Sequence, residues 1–318
     1  MTTEISQLRT MDLADILDRA VDLYRRDPVV LLGVYAVGYT PFWLLIGLGA
    51  HFLAGAVLEA ASPTVLEGGG EAAALRGALG AATLIAVLSA TVVLVEPLVT
   101  GAMARAVADR LLGRPASIRT AYAAIRQRKA ALILSSLIRL SASYGAANLV
   151  WFPATLLMGV AVDRASWAAG IGAAVLGLAA LLAGGLIFVY LLFIGQVVVV
   201  EQRGTAEAVS RSWRLVSGRL WRTSAAAGFL FLLTTALAGA VEAPLVAALA
   251  LWAPHHPTPE AVALLVTTGV VVFGIASLVA SPVMTVGSTL MYFDLRVGRE
   301  GLDVELLAAS LPAREAAT

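Results

Sequence analysis

The stretch PVMTVGSTLMYFDLRVGR, residues 282–299, ends an uncharged run that begins near residue 261 and stops at Asp294. The run exceeds the ~20 residues that a helix needs to cross a bilayer core. It also lacks the alternation of period two that a membrane β-strand would show. We therefore expect a transmembrane helix here, with Tyr292 and Phe293 at the lipid headgroups and the charged residues after them in water.

Five further apolar runs of similar length stand out in the chain. They cover residues 28–58, 77–104, 130–162, 167–200 and 223–253. Only 14% of the residues are charged and the mean hydropathy is +0.87, whereas soluble domains carry roughly 25% charged residues. The sequence therefore predicts an all-α polytopic membrane protein with six transmembrane helices, in which residues 1–318 form a single integral membrane domain.

The basic residues predict the orientation of these helices. Arginine and lysine collect before the first run, between residues 105 and 129, between residues 203 and 222, and after residue 295. The segments on the other side contain only two basic residues, Arg76 and Arg164. Because basic loops stay on the cytoplasmic side of a membrane, we expect both termini to be cytoplasmic.

Three segments on the basic side have the pattern of short amphipathic helices. They are MDLADILDRAVDLYRR (11–26), SIRTAYAAIRQRK (117–129) and TAEAVSRSWRLVSGRLWR (205–222). Helices of this kind lie in the membrane interface, with basic and aromatic side chains near the headgroups. The alternative is a set of solvated cytoplasmic helices. The candidate headgroup-contacting residues are Arg19, Arg26, Arg211, Trp213, Arg214 and Trp221.

The opening stretch has an internal counterpart, PLVTGAMARAVADRLLGR, at residues 97–114. Without a gap, Pro97 matches Pro282, Thr100 matches Thr285, Asp109 matches Asp294, and Gly113–Arg114 matches Gly298–Arg299. These matches indicate three repeats of an interfacial helix plus a transmembrane hairpin. The units cover about residues 11–107, 115–200 and 205–297, and residues 300–318 form a cytoplasmic tail. We interpret the matched residues as a structural exit motif.

Two opposite charges are predicted to meet inside the membrane. Glu96 lies nine residues before Arg105, and Arg139 lies ten residues after Lys129. At 1.5 Å per residue both lie ~13–15 Å from the cytoplasmic ends of their helices. We expect an ion pair between the second and third spans. It either fixes the helix register or belongs to a transport or substrate site, since charges in spans often mark such sites.

Three stretches resemble the bacterial multi-pass family labelled glycerophosphoryl diester phosphodiesterase membrane domain. They are LADILDRAVDLYRRDPVVLLGV (13–34), VVVVEQRGTAEAVSRSWRLVSGRLWR (197–222) and TLMYFDLRVGREGLDVELL (289–307). The resemblance implies a multi-pass protein of the bacterial cytoplasmic (inner) membrane. Catalytic domains of those phosphodiesterases use a His-Arg-Gly motif, which this sequence lacks. The membrane part is therefore expected without the catalytic part.

Other chemistry finds little support in the sequence. Cysteine is absent, which excludes disulfides and thiolate chemistry. A net charge of +1 and the lack of a basic patch with stacking aromatics argue against a nucleic-acid partner. We expect no enzyme activity, no cofactor and no metal.

Two functions stay open, and the small number of charged residues within the spans favours the first. The first is a scaffold or accessory subunit whose interfacial helices contact anionic lipid headgroups or a membrane or cytoplasmic protein. The second is a small transporter or lipid-handling protein with a cavity near Glu96 and Arg139. A cavity lined by that pair favours the second function, and a solid core around a buried pair favours the first.

Overall fold

The structure is a computed structural model that describes residues 11–60, 71–252 and 259–302. Within these ranges the chain is helical and contains no strand. In chain order the helices are α1 (Leu13–Arg26), α2 (Pro28–Ala60), α3 (Glu71–Ala90), α4 (Glu96–Leu111), α5 (Ile118–Ile125), α6 (Lys129–Asp163), α7 (Trp167–Tyr190), α8 (Ile194–Val200), α9 (Thr205–Val216), α10 (Leu220–Trp252) and α11 (Pro259–Glu300). A π-helical turn, Thr91–Val95, joins α3 to α4. His255, His256 and the tail after residue 302 lie outside the described residues.

Six segments of the described chain are long and apolar enough to cross a membrane, and we number them as the first to the sixth span. They are Pro28–Ala54, Gly77–Leu111, Lys129–Asp163, Trp167–Val200, Leu220–Ala248 and Thr267–Glu300. This confirms the predicted all-α polytopic membrane fold. The longest spans have 35 residues and reach about 50 Å, compared with roughly 30 Å for a hydrocarbon core. Their ends therefore extend past the bilayer core.

The elements follow one another in the order short helix, span, span, three times over. The short helices α1, α5 and α9 each precede a pair of spans. At the start of α1 the Asp12 side chain faces the backbone N–H of Asp15, and the Asp15 side chain accepts from the backbone N–H of Asp12. The two residues form a capping box. Ser117 caps α5 in the same way. These caps explain why separate helices begin where the sequence turns from loop to amphipathic pattern.

The short helices lie together at one end of the bundle, which we call the short-helix end. Their apolar faces turn inward, so that Ile16 of α1, Ile125 of α5 and Leu215 of α9 are all buried. Tyr122 of α5 donates a hydrogen bond of 2.7 Å to the carbonyl of Val34 in the first span. The apolar faces that the sequence pattern assigns to the membrane interface therefore pack against the protein itself.

The hydrophobic core is concentrated at the short-helix end. Met103, Phe193 and Leu290, from the second, fourth and sixth spans, are buried there. Toward the opposite end many large apolar side chains are exposed, as at Leu149 and Leu181. Exposed apolar surface of this kind suits contact with lipid.

The stretch 282–299 belongs to this core and is not a water boundary. Tyr292, Phe293 and Asp294 expose 0%, 2% and 3% of their surface. The prediction that the two aromatic residues lie at the headgroups and Asp294 in water is therefore wrong. The physical reason is that α11 continues to Glu300 and that α1, α4 and α9 pack around its end.

Candidate binding cavity among the six spans

The second span of each hairpin is interrupted or carries a proline. In the second span, the π-helical turn Thr91–Val95 leads into Glu96 and Pro97 at the start of α4. In the fourth span, a turn at residues 191–193 separates α7 from α8. In the sixth span, Pro282 lies inside α11. Proline removes a helical hydrogen bond, and π-turns are frequent at functional sites.

Glu96 and Arg139 form an ion pair between the second and third spans. Nη2 of Arg139 donates to both carboxylate oxygens of Glu96, at 3.0 and 3.1 Å. The guanidinium carbon lies 5.1 Å from the centre of the Phe188 ring, a cation–π distance. The side chains expose 14% (Arg139) and 28% (Glu96) of their surface. The structure thus brings together the two residues that the sequence analysis pairs.

The pair borders a cavity of about 280 Å³. Every one of the six spans contributes to its wall. The lining residues are Tyr35, Tyr39, Glu96, Thr100, Arg139, Phe188, Leu192, Gly195, Gln196, Thr234, Ser281, Met284, Thr285 and Ser288. The second span of each hairpin places residues at this wall next to its interruption or proline.

The wall combines aromatic surface with hydrogen-bonded polar groups. The rings of Tyr35 and Tyr39 stack with their centres 5.3 Å apart. The Tyr35 hydroxyl lies 2.7 Å from the Thr285 hydroxyl. Nε2 of Gln196 donates to the Ser288 hydroxyl at 3.3 Å. A few placed polar groups on a mainly apolar wall are typical of ligand sites.

Several buried polar atoms near the cavity have no partner among the described residues. They include Nε of Arg139 and the hydroxyls of Thr234, Ser135 and Ser136. The two serines line a second cavity of about 20 Å³, which shares Arg139 and Gly195 with the larger one. Buried polar groups are nearly always satisfied, and a space of this size admits about one water molecule. The region is therefore built for polar contents.

The proposed repeat maps onto the cavity wall. Thr100 and its match Thr285 both line the cavity, and so do Glu96 and Ser281, which precede the two matched prolines. The Thr100 hydroxyl donates to the backbone carbonyl of Glu96 at 2.8 Å. The first and third units thus contribute equivalent positions to one site.

The acidic residues of the exit motif lie at the short-helix end, away from the cavity wall. Asp109 is buried and accepts a hydrogen bond of 3.0 Å from Nε of Arg105. Asp294 accepts one of 2.7 Å from the backbone N–H of Met11 and pairs with Arg222 at 3.2 Å. Asp294 thus joins α11 to the start of α1 and to α10, whereas Asp109 pairs with an arginine of its own helix.

The Gly-Arg pairs of the exit motif differ in conformation. Gly113 has φ +68° just after α4 ends, whereas Gly298 lies inside α11. Arg114 is exposed, whereas Arg299 donates to carbonyl oxygens at the C-terminal end of α9. The sequence match at this point therefore does not extend to equal local structure.

The remaining candidate headgroup-contacting residues lie at the short-helix end. Trp213 and Trp221 expose 45% and 86% of their surface. Arg214 and Arg26 are exposed, and Arg19 is half-buried. This surface carries basic and aromatic groups together.

Glu201 organises a charged cluster that the sequence analysis missed. Its carboxylate accepts hydrogen bonds from Arg211 at 3.0 and 3.1 Å, from Arg203 at 2.8 Å and from the Tyr292 hydroxyl at 2.8 Å. Burial alone would raise the pKa of Glu201, but the hydrogen bonds from Tyr292, Arg203 and Arg211 outweigh it and lower that pKa. Arg211 also pairs with Glu300. The cluster joins the ends of the fourth and sixth spans to α9.

Sequence reasoning also missed most of the neutral polar residues of the cavity. Tyr35, Gln196, Thr234 and Ser288 each interrupt an apolar run. The available signal was that a polar side chain within a span usually faces the bundle interior. Serine and threonine are common in membrane helices and bond to their own backbone, so this signal does not single out a site.

Comparison with known proteins gives a family. The DUF7847 family, described as a domain of unknown function, matches residues 11–295. The chain belongs to this family. The DUF7847 match covers the first five spans, most of the sixth and the whole cavity wall. No curated protein and no solved structure matches the chain. The resemblance to the phosphodiesterase membrane domain stays a prediction.

Proposed function

We propose that this protein binds a small polar ligand in its intramembrane cavity and acts as a small transporter or lipid-handling protein. The observation that carries the proposal is the cavity of about 280 Å³ to which all six spans contribute and which Glu96 and Arg139 border. Protein interiors are otherwise close-packed. A pair that served only as a staple between two helices would need no such space.

The interrupted spans support the same proposal. Transporters commonly form binding sites where helices are broken at corresponding places in structural repeats. Here Glu96 follows a π-helical turn, Leu192 lies in a turn between two helices, and Ser281 precedes a proline. All three residues line the cavity.

We also propose that the protein resides in the bacterial cytoplasmic membrane with both termini in the cytoplasm. The support is the basic composition of the short-helix end and the near absence of basic residues from the opposite loops. In this orientation the ion pair and the cavity lie nearer the cytoplasmic side, since Arg139 is ten residues into the third span.

A scaffold or accessory role is the second candidate. Exposed Trp213, Arg214 and Trp221 at the short-helix end favour contact with headgroups or a partner protein. This role leaves the cavity without a purpose, so we place it second. The two roles are compatible in one molecule.

A cavity-filling variant tests the first proposal. An added Cβ at Gly195, which lines the cavity, would meet no atom within 4 Å, and the same holds at exposed Gly185 in the same span. We expect Gly195→Leu to fold and to lose molecules that co-purify with the native protein, as detected by native mass spectrometry. Gly185→Leu is the matched control and should retain them. If native protein and both variants carry the same molecules, or none, the cavity does not bind a ligand.

A further inference from the structure

The charges around the cavity constrain what it can hold, given the proposed function. Among the described residues that line it, Glu96 and Arg139 are the acidic and basic side chains, and their formal charges cancel. A ligand of net charge would bring an uncompensated charge into a low-dielectric space, which is costly. A ligand whose own charges cancel avoids that cost.

Arg139 has hydrogen-bonding capacity left for an anionic group. Only Nη2 donates to Glu96. Nε is buried without a partner, and Nη1 has no hydrogen bond to any described residue. Guanidinium donors match the oxygens of carboxylates and phosphates. An anionic group could therefore add to the pair without displacing Glu96.

Other groups of the cavity wall offer partners for a cation. The Glu96 carboxylate has further lone pairs beyond the two that accept from Arg139. Tyr35 and Tyr39 also line the cavity, and aromatic rings attract ammonium groups at their faces. Ligand pockets for drug-sized molecules usually measure about 300–1,000 Å³, so a cavity of about 280 Å³ suits a smaller molecule or a headgroup.

We infer that the ligand is a small zwitterion. Its carboxylate or phosphate accepts hydrogen bonds from the unused Nη1 of Arg139, and its ammonium group lies between Glu96 and the tyrosine pair. This inference rests on the proposed function and narrows its ligand class. Two sources offer this chemistry, namely a free amino-acid-like molecule and the headgroup of phosphatidylethanolamine.

The test compares probes of matched size and different charge. Purified protein in detergent micelles is titrated with glycine, β-alanine and glycerophosphoethanolamine as zwitterions, with acetate and inorganic phosphate as anions, and with ethylammonium as the cation. Binding is read from the rise in thermal unfolding temperature with probe concentration. The lipid source is tested in nanodiscs that contain either phosphatidylethanolamine or phosphatidylglycerol.

We expect at least one zwitterion, free or lipid-borne, to bind about tenfold more tightly than every anionic or cationic probe. Arg139→Lys should weaken that binding about tenfold, since it keeps the charge but removes the planar set of donors. Arg164→Lys, at an exposed arginine outside the cavity, should leave it unchanged. Arg139→Lys also alters the hydrogen bonds to Glu96 that hold two spans together, so Thr234→Val is the second variant. It removes a hydroxyl with no partner among the described residues, so it should fold normally while zwitterion binding falls.

The outcomes separate the inference from the proposed function. Suppose that acetate, phosphate or ethylammonium binds as tightly as the zwitterions and that Gly195→Leu abolishes this binding. The inference of a zwitterionic ligand is then overturned, while the proposal of a ligand-binding cavity stands. Zwitterion binding that Gly195→Leu and Thr234→Val leave intact places the molecule elsewhere and also overturns the inference. If no probe binds in micelles or in either kind of nanodisc, the inference of a zwitterionic ligand is overturned as well. If, in addition, no molecule co-purifies with the protein, the proposed function fails too.

Discussion

The carboxylate of Asp294 accepts a hydrogen bond of 2.7 Å from the backbone N–H of Met11, 283 residues earlier in the chain. Asp294 is almost fully buried and also pairs with Arg222 at 3.2 Å. The same carboxylate thus joins the start of α1, the start of the fifth span and the end of the sixth. This contact makes the short-helix end a structural unit that links the first and third of the predicted repeat units.

Removal of this carboxylate should destabilise the protein. Asp294→Ala leaves the buried N–H of Met11 without its acceptor and Arg222 without its partner, which should lower the free energy of unfolding by about 2–3 kcal/mol. Asp294→Asn keeps an acceptor and should cost less. Thermal unfolding in detergent, followed by tryptophan fluorescence, measures both effects. Asp163→Ala, at an exposed aspartate, is the control, and equal losses for Asp294→Ala and Asp163→Ala would contradict a structural role for Asp294.

Acidification should weaken the Glu201 cluster. The folded-state pKa of Glu201 lies below the ordinary value of 4.5. The ionised carboxylate therefore contributes stability that is present above pH about 4.5 and is lost as pH falls through the lowered folded-state pKa. Unfolding temperatures measured between pH 7 and pH 3 should fall less steeply in Glu201→Gln than in the native protein. Glu207→Gln, at a glutamate that is 67% exposed, should keep the native slope. A native slope in Glu201→Gln would show that other groups cause the acid sensitivity.

The sequence predicts the number and register of the helices better than it predicts the cavity between them. The distances of Glu96 and Arg139 from their nearest basic residues suffice to pair them, because a helix rises by a constant amount per residue. The cavity beside them depends on how six spans pack, and Gln196 or Thr234 carries no local sign of facing it. The error at Tyr292 and Phe293 has a related cause. Hydropathy shows where an apolar run ends, but it does not show whether the run ends in water or inside the protein. Here the run ends among packed helices, so the charged residue that follows it, Asp294, is buried.

Adjacent glycines in the fourth span should respond oppositely to a methyl group. The stretch GIGAAVLGLAALLAGG ends in Gly184 and Gly185. An added Cβ at Gly184 would lie 2.9 Å from both the Ala147 Cβ and the backbone oxygen of Ser143. At Gly185 it would meet no atom within 4 Å. Small residues allow this close approach of membrane helices.

We therefore expect Gly184→Ala to destabilise the α6–α7 hairpin by about 1–3 kcal/mol. Gly185→Ala should be neutral or stabilising by up to about 1 kcal/mol, because alanine is the better helix former. Thermal unfolding of the two variants in the same detergent is the measurement. A loss at Gly185 that equals the loss at Gly184 would mean that the helices do not approach each other as closely as this contact requires.

Glu96 and Arg139 should show a strong energetic coupling. Either single change, Glu96→Gln or Arg139→Gln, leaves an uncompensated charge within the membrane, whereas the double change removes both charges. The double variant should therefore be more stable than the sum of the two single losses predicts, by about 1–3 kcal/mol of coupling. The matched control is the exposed pair Asp22–Arg26, 2.9 Å apart on α1, where Asp22→Asn and Arg26→Gln should couple by no more than about 0.5 kcal/mol. Coupling at Glu96 and Arg139 as weak as that of the exposed pair would contradict an ion pair held in a low-dielectric interior. Strong coupling together with unaltered ligand retention in Glu96→Gln would assign the pair to helix register alone, so both properties are to be measured on the same preparations.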